Sequence, residues 1–207
     1  PKDSPLRGAA YIISDGILEC LEVSARGGIR WRRFIDTYAP SIHFAGKTML
    51  VVNHTKGRVP GLANRVVAYD ATDGSLNWSN SHKWVSDNHG SHMIHPAVVG
   101  DIAFLEPLGY SVTTGKVVRD DLGRREGCAT VAATLDALIY RGADRRVAMW
   151  DIESGEVSSW MNLRPSCWLS VVPSGGMILA PEGGGGCSCG NWVETSLGFL
   201  PDLPETD

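Results

Sequence analysis

Short apolar runs bounded by Gly, Asp, Pro and Ser recur along the chain, and no stretch holds its apolar residues at a helical spacing. Residues 10–14 and 17–23 flank Asp15-Gly16, a dipeptide that supplies the positive φ of a tight two-residue turn, and so predict a β-hairpin. The same reasoning pairs 41–44 with 48–52 across 45–47, and 96–99 with 102–105 across Gly100-Asp101. It also pairs 130–133 with 137–140 across 134–136, and 168–172 with 177–180 across 173–176. Runs this short, rich in β-branched residues and punctuated by turn formers, predict an all-β chain. Two longer stretches break the rhythm, 54–64 and 80–95, and insertions of this kind usually carry ligand or partner contacts.

A longer period lies over the hairpins. The phrase from Ala68 through Asp70 and Gly74 to Trp78 returns from Met149 through Asp151 and Gly155 to Trp160. Looser copies run from Glu22 through Gly27 to Trp31 and from Tyr110 through Gly115 to Arg119, where a polar residue stands at the end in place of Trp. The marker glycines Gly27, Gly74, Gly115 and Gly155 lie 47, 41 and 40 residues apart, the period of a β-propeller blade or another stacked array. Repeat units are expected at roughly 8–34, 40–80, 94–120, 128–162 and 166–200. A blade holds about four strands and a propeller roughly 4 to 8 blades. Residues 1–207 therefore predict a partial propeller of about four to five blades, or part of a larger ring, from the C-terminal part of a longer chain. An indole after the turn can pack between adjacent sheets while its N–H reaches a backbone acceptor, which gives Trp31, Trp78 and Trp160 a docking role. Asp70, Gly74, Asp151 and Gly155 would shape the turns that receive them. An incomplete ring exposes strand edges, so its expected partners are the rest of the propeller or another protein.

The segment Tyr69-Asp70-Ala71-Thr72-Asp73-Gly74-Ser75-Leu76-Asn77-Trp78 resembles the tryptophan-docking repeat of quinoprotein-like (PQQ-like) β-propellers. Residues 164–168 with 177–189 look like the closing region of a planctomycete-type subgroup of these proteins, so the resemblance covers nearly the whole chain. It implies the fold and the docking residues. It leaves activity open, because the repeat serves dehydrogenases, outer-membrane assembly scaffolds and secreted proteins alike. PQQ alcohol dehydrogenases carry a disulfide between adjacent cysteines beside the quinone, whereas Ser188 here separates Cys187 from Cys189. Their Ca²⁺ ligands and catalytic Asp have no residue-by-residue match, so PQQ with Ca²⁺ rests on the resemblance and on no ligand set.

A net charge of -4 and a pI near 5.9 exclude the strongly basic footprint of a nucleic-acid-binding domain. No segment approaches the roughly 20 apolar residues of a membrane-spanning helix. Four of the five cysteines, Cys128, Cys167, Cys187 and Cys189, fall in the last 80 residues, each near a Gly or Pro turn. In an oxidising compartment they would form two disulfides, Cys187 and Cys189 each reaching back to Cys128 or Cys167, since alternate residues of an extended chain sit near the upper distance limit for a direct bridge. Four thiolates can also hold Zn²⁺ or another soft ion, and free or redox-active thiols are the third reading. Cys20, within a strand, reads as core.

His89, His92 and His95 stand at every third position of the longest insertion; in a helical or 3₁₀ turn they could share a metal, and in an ordinary polar loop they would bond to the backbone. Arg164 and Glu182 flank the cysteine region and could bind a ligand or pair with each other. Gly183-Gly184-Gly185-Gly186 lacks the Lys-Ser/Thr and following helix of a phosphate loop. These observations predict an exported, periplasmic or extracellular propeller module that binds or scaffolds a protein or carbohydrate. The alternative is a redox or polysaccharide-active propeller enzyme using the histidine or cysteine cluster.

Overall fold

The computed structural model describes residues 6–35, 40–53, 64–82, 95–123, 125–126, 130–143, 146–160, 163, 171–181 and 196–200. The described residues form antiparallel sheets, each built from one contiguous stretch of chain. In the first, β1 (Ala9–Ser14), β2 (Ile17–Glu22) and β3 (Ile29–Phe34) lie in the order β1-β2-β3. In the second, β4 (Pro40–Ala45), β5 (Thr48–Asn53), β6 (Asn64–Asp70) and β7 (Leu76–His82) also follow sequence order. The third holds β8 (Ala97–Val99), β9 (Ile102–Leu105), β10 (Leu108–Ser111) and β11 (Val117–Arg119). The fourth runs β12 (Ala132–Ala133), β13 (Ala137–Arg141), β14 (Val147–Asp151) and β15 (Val157–Trp160), and the fifth β16 (Val172–Ser174), β17 (Met177–Ala180) and β18 (Leu197–Phe199). No helix among the described residues is long and apolar enough to cross a membrane.

The turns explain the registers. Asp15 and Gly16 take φ of 50° and 76°, the two positive values of the tight hairpin turn, and β1 pairs with β2 from Ala9↔Glu22 to Ser14↔Ile17. Between β16 and β17 the expected turn over 173–176 narrows to Gly175-Gly176, at φ 59° and 75°, and Pro173 and Ser174 join β16. Proline is tolerated there because β16 is an edge strand, whose outward backbone needs no N–H donor. The turn over 45–47 likewise narrows to Gly46-Lys47, with Ala45 paired to Thr48.

By its own contacts the chain divides into two compact units, 1–83 with 110–117, and 84–109 with 118–207. In the first, Leu18, Cys20, Trp31, Met49, Val51 and Ala71 make one buried cluster, so Cys20 is a buried core thiol without a disulfide. In the second, alternation along β13 and β14 feeds two clusters. Leu138, Tyr140, Ala148 and Trp150 pack with Phe104 on one face, while Ile139 and Val147 pack with Leu163, Val171 and Ala180 on the other. A sheet buried on both faces explains why β13 is buried along its whole length.

Candidate functional site

The most regular chemistry among the described residues is one turn built three times. At Asp70 the backbone N–H donates to Ser75 O (2.8 Å), and Gly74 N donates to Asp70 O (2.8 Å). At Ser111 the partners are Lys116 O (2.8 Å) and Gly115 N (2.8 Å), and at Asp151 they are Glu156 O (2.9 Å) and Gly155 N (2.9 Å). The first side chain of each turn caps it. Asp70 Oδ1 accepts from Thr72 N at 2.7 Å, Ser111 Oγ from Thr114 N at 3.1 Å, and Asp151 Oδ1 from Ser154 N at 2.7 Å. These bonds, together with the Ser154 hydroxyl, hold the Asp151 carboxyl below its ordinary range. The fifth residue is Gly each time, at φ 71°, 71° and 76°, a left-handed backbone that strains any residue with a Cβ.

Each turn presents the carbonyl of its second residue to a side chain from the preceding sheet. Trp31 Nε1 donates to Ala71 O at 3.1 Å, and Tyr11 Oη fills that oxygen's second acceptor site at 2.9 Å. Burial first, and then the neighbouring Cys20, push the Tyr11 hydroxyl up to about 12, so it stays a donor at every physiological pH. Trp78 Nε1 donates to Val112 O at 2.8 Å, and its ring stacks on Tyr110 at 6.2 Å between centroids. The glycines lie against these indoles. A Cβ on Gly74 would fall 2.6 Å from Trp31 Cε3, and one on Gly115 would fall 2.6 Å from Trp78 Cδ2. Two residues beyond each Trp a second donor reaches the glycine itself: Arg33 Nε bonds to Gly74 O at 2.7 Å and Asn80 Nδ2 to Gly115 O at 2.5 Å.

At the third turn a guanidinium takes this place. Arg119 Nη1 donates to Ile152 O, the carbonyl equivalent to those of Ala71 and Val112, and the guanidinium carbon lies 4.5 Å from the centroid of the Trp150 ring. Asp121 grips the other side of the fork, with Nε to Oδ1 and Nη2 to Oδ2 both at 2.8 Å. That pairing holds the Asp121 carboxyl below its ordinary range and the Arg119 guanidinium above its own. Trp31, Trp78 and Arg119 each stand four residues past a marker glycine, whereas Trp160 stands five past Gly155. Trp160 pairs with Val147 in β14 and packs against the buried cluster of Ile139, Val147, Leu163, Val171 and Ala180; Ser159 occupies the position four past the glycine. The spacing therefore places Arg119 at the position of the Trp, without assigning it the role of docking donor.

A second polar group lies in the unit of 84–109 with 118–207. Glu106 and Arg125 are both buried, with Arg125 N and Nε donating to Glu106 Oε1 (2.9 Å) and Oε2 (3.2 Å). Burial, then Glu106, push the Tyr140 hydroxyl up to about 12. His95 is exposed, and partial desolvation followed by the Arg125 charge lowers its imidazole below the usual value. Of the other residues singled out by sequence, His89, His92, Cys128, Cys167, Cys187, Cys189, Arg164 and Glu182 lie outside the described residues. Among the described residues no three His, Cys, Asp or Glu side chains gather as metal ligands would.

No protein-family profile matches the chain, and no curated protein matches it in sequence. Solved structures do match it in fold. BamB from Moraxella catarrhalis is similar at 16% identity and TM-score 0.54, over 84% of this chain and 55% of its own. The computationally designed Ika8 protein is similar at 11% identity and TM-score 0.56, over 93% of this chain and 57% of its own. A europium-containing methanol dehydrogenase is similar at 12% identity and TM-score 0.50, over 83% of this chain and 42% of its own. The chain thus spans little more than half the length of the first two and less than half of the third. BamB and the methanol dehydrogenase have PQQ-like β-propeller folds, so this all-β chain of repeated antiparallel sheets is similar in fold to β-propellers, and at these identities in fold alone.

Proposed function

We propose that the chain is a PQQ-like β-propeller module, exported from the cytoplasm, that binds or scaffolds another protein or a carbohydrate. The reading is carried by the repeated hydrogen bonds of Trp31, Trp78 and Arg119 to equivalent turn carbonyls, a structural repeat that suits a binding or scaffold module. In this role Asp70, Gly74, Asp151 and Gly155 shape the receiving turns.

The first sheet supports a partner that adds a strand. β3 carries Trp31 as β7 carries Trp78, which makes β1 the counterpart of β5. β5 pairs on both sides, with β4 and β6, whereas β1 pairs with β2 alone among the described residues. A strand from the rest of a longer propeller, or from another protein, fits that edge. The residue two past each marker glycine, Ile29, Leu76, Val117 and Val157, is apolar and exposed in each of the first four sheets, which suits protein contact.

Intact mass under native and denaturing conditions, with and without reductant and alkylation, tests the reading. Metal-free protein whose four C-terminal cysteines alkylate only after reduction supports the scaffold. Thiols that alkylate without reduction, with a native mass excess matching a metal ion or quinone, would replace it with the enzyme reading.

A further inference from the structure

β18 stands third in the fifth sheet, as β6, β10 and β14 stand third in theirs. Those three strands pair on both sides, with β7, β11 and β15 as outer neighbours, whereas β18 pairs with β17 alone among the described residues. The register locates the turn that would lead to a fourth strand. Phe199 lies opposite Ile178, the second residue of β17, just as Tyr69 lies opposite Met49 in β5 and Trp150 opposite Leu138 in β13. Leu200 therefore holds the sequence position of the capping Asp70 and Asp151, and Pro204 that of Gly74 and Gly155. Leucine has no oxygen to cap the turn, and the ring of proline fixes φ at about −65° where those glycines take positive values. The sequence after β18 cannot close the repeated turn, and an edge strand with free backbone groups is a template for pairing with another chain. An apolar cavity of about 300 Å³ opens beside this edge, walled by Phe199 and Ile178 of the fifth sheet and by Val147, Met149 and Trp160 of the fourth. Leu200, which also lines it, is 70% exposed.

We propose that the β18 edge and this cavity form one docking surface for an extended strand of a partner protein, which pairs with β18 and places an apolar side chain in the cavity. Directly opposed residues of paired strands share a sheet face, so the partner residue opposite Phe199 is the one that meets Met149 and Trp160. The repeat itself argues for a strand as the occupant, since the same edge carries β7, β11 and β15 in the other sheets. Main-chain hydrogen bonds supply the affinity of such an added strand, and the pocket selects its side chain. The site deepens the reading of the chain as a protein-binding module and rests on it, but it uses a different edge from β1.

Amide hydrogen exchange of the full chain, with and without the synthetic peptide Lys-Thr-Val-Thr-Leu-Thr-Val-Thr-Lys, tests the proposal. Saturable binding is expected, with exchange at Leu197–Phe199 slowed about tenfold or more as those amides enter a ladder. A control peptide with proline at alternate positions, which breaks the donor pattern of a strand, should leave them unchanged. Leu200→Asp, at an exposed position, should weaken the peptide about tenfold by setting a charge against the apolar cavity. Equal protection by both peptides, protection by neither, or equal affinity in Leu200→Asp overturns the proposal, and the peptide comparison needs only the wild-type chain. β18 amides already slow without peptide, or slowed by raising protein concentration alone, overturn it too, the second result assigning the edge to another copy of the chain. Slowing at Ala9–Ser14 instead would place the peptide on the β1 edge and overturn this site alone. Failure of the scaffold reading shows separately, in native mass and thiol state.

Discussion

Trp78 and Arg119 perform the same act in two different materials. Each reaches the carbonyl one residue into a five-residue turn, and each lies against the aromatic residue that precedes that turn, Tyr110 in one case and Trp150 in the other. The indole is buried and its contact is mostly apolar surface and one neutral hydrogen bond. The guanidinium side chain keeps 21% of its surface exposed and depends on Asp121 to hold its charge in place. The comparison teaches that the repeat conserves a donor position and an acceptor carbonyl, while the physical source of the attraction can change from hydrophobic burial to electrostatics.

The largest expected effect lies on the apolar side. Trp78→Ala should lower unfolding free energy in urea by about 3–5 kcal/mol, through lost burial and the cavity it leaves. Gly115→Ala should follow at about 2–4 kcal/mol, since the new Cβ combines left-handed strain with overlap of a rigid ring. Gly155→Ala shares the strain, but its nearest neighbours are the side-chain ends Asp121 Oδ2 at 3.1 Å and Arg119 Nη2 at 3.7 Å, which can move. Its expected loss is only about 1–2 kcal/mol, and equal losses at the two glycines would erase the contrast between ring and guanidinium. Arg119→Ala should remove about 1–2 kcal/mol, a charged hydrogen bond discounted for solvent screening.

The smallest effect is the most specific. Because Arg119 depresses the folded-state pKa of Asp121, the pair's contribution is complete above the ordinary carboxylate value of about 4 and is lost as pH falls through the depressed value. The stability difference between wild type and Asp121→Asn should therefore be flat from about pH 5 to 8 and shrink below about pH 4, and it should weaken in high salt. The indole contact of Trp78 carries no such dependence.

Much of this architecture was legible because turn residues act locally. Asp15-Gly16 and Gly100-Asp101 placed their hairpins directly, since the backbone those residues favour is the backbone the turn needs. Pro173 misled, because the exemption of an edge strand from donating hydrogen bonds is a property of the sheet. The position of Arg119 was legible and its role was not, for a chemical reason: that role follows from the pairing with Asp121 and the packing on Trp150, and Trp150 is distant in sequence. Trp160, one residue out of step with Trp31 and Trp78, shows the converse, for a Trp near the right place lines a cavity instead. The burial of Arg141 had no sequence signal, as a strand ending in Arg reads as a solvated end.

Urea unfolding of Arg119→Trp at low and high salt tests most directly whether the donor position is interchangeable. Gly155 leaves room for a ring, and Trp150 offers the stacking partner that Tyr110 gives Trp78. The predicted result is stability within about 1 kcal/mol of wild type at neutral pH, with the salt dependence of the Arg119 contact gone. A loss as large as that of Arg119→Ala, or an unchanged salt dependence, would contradict the account.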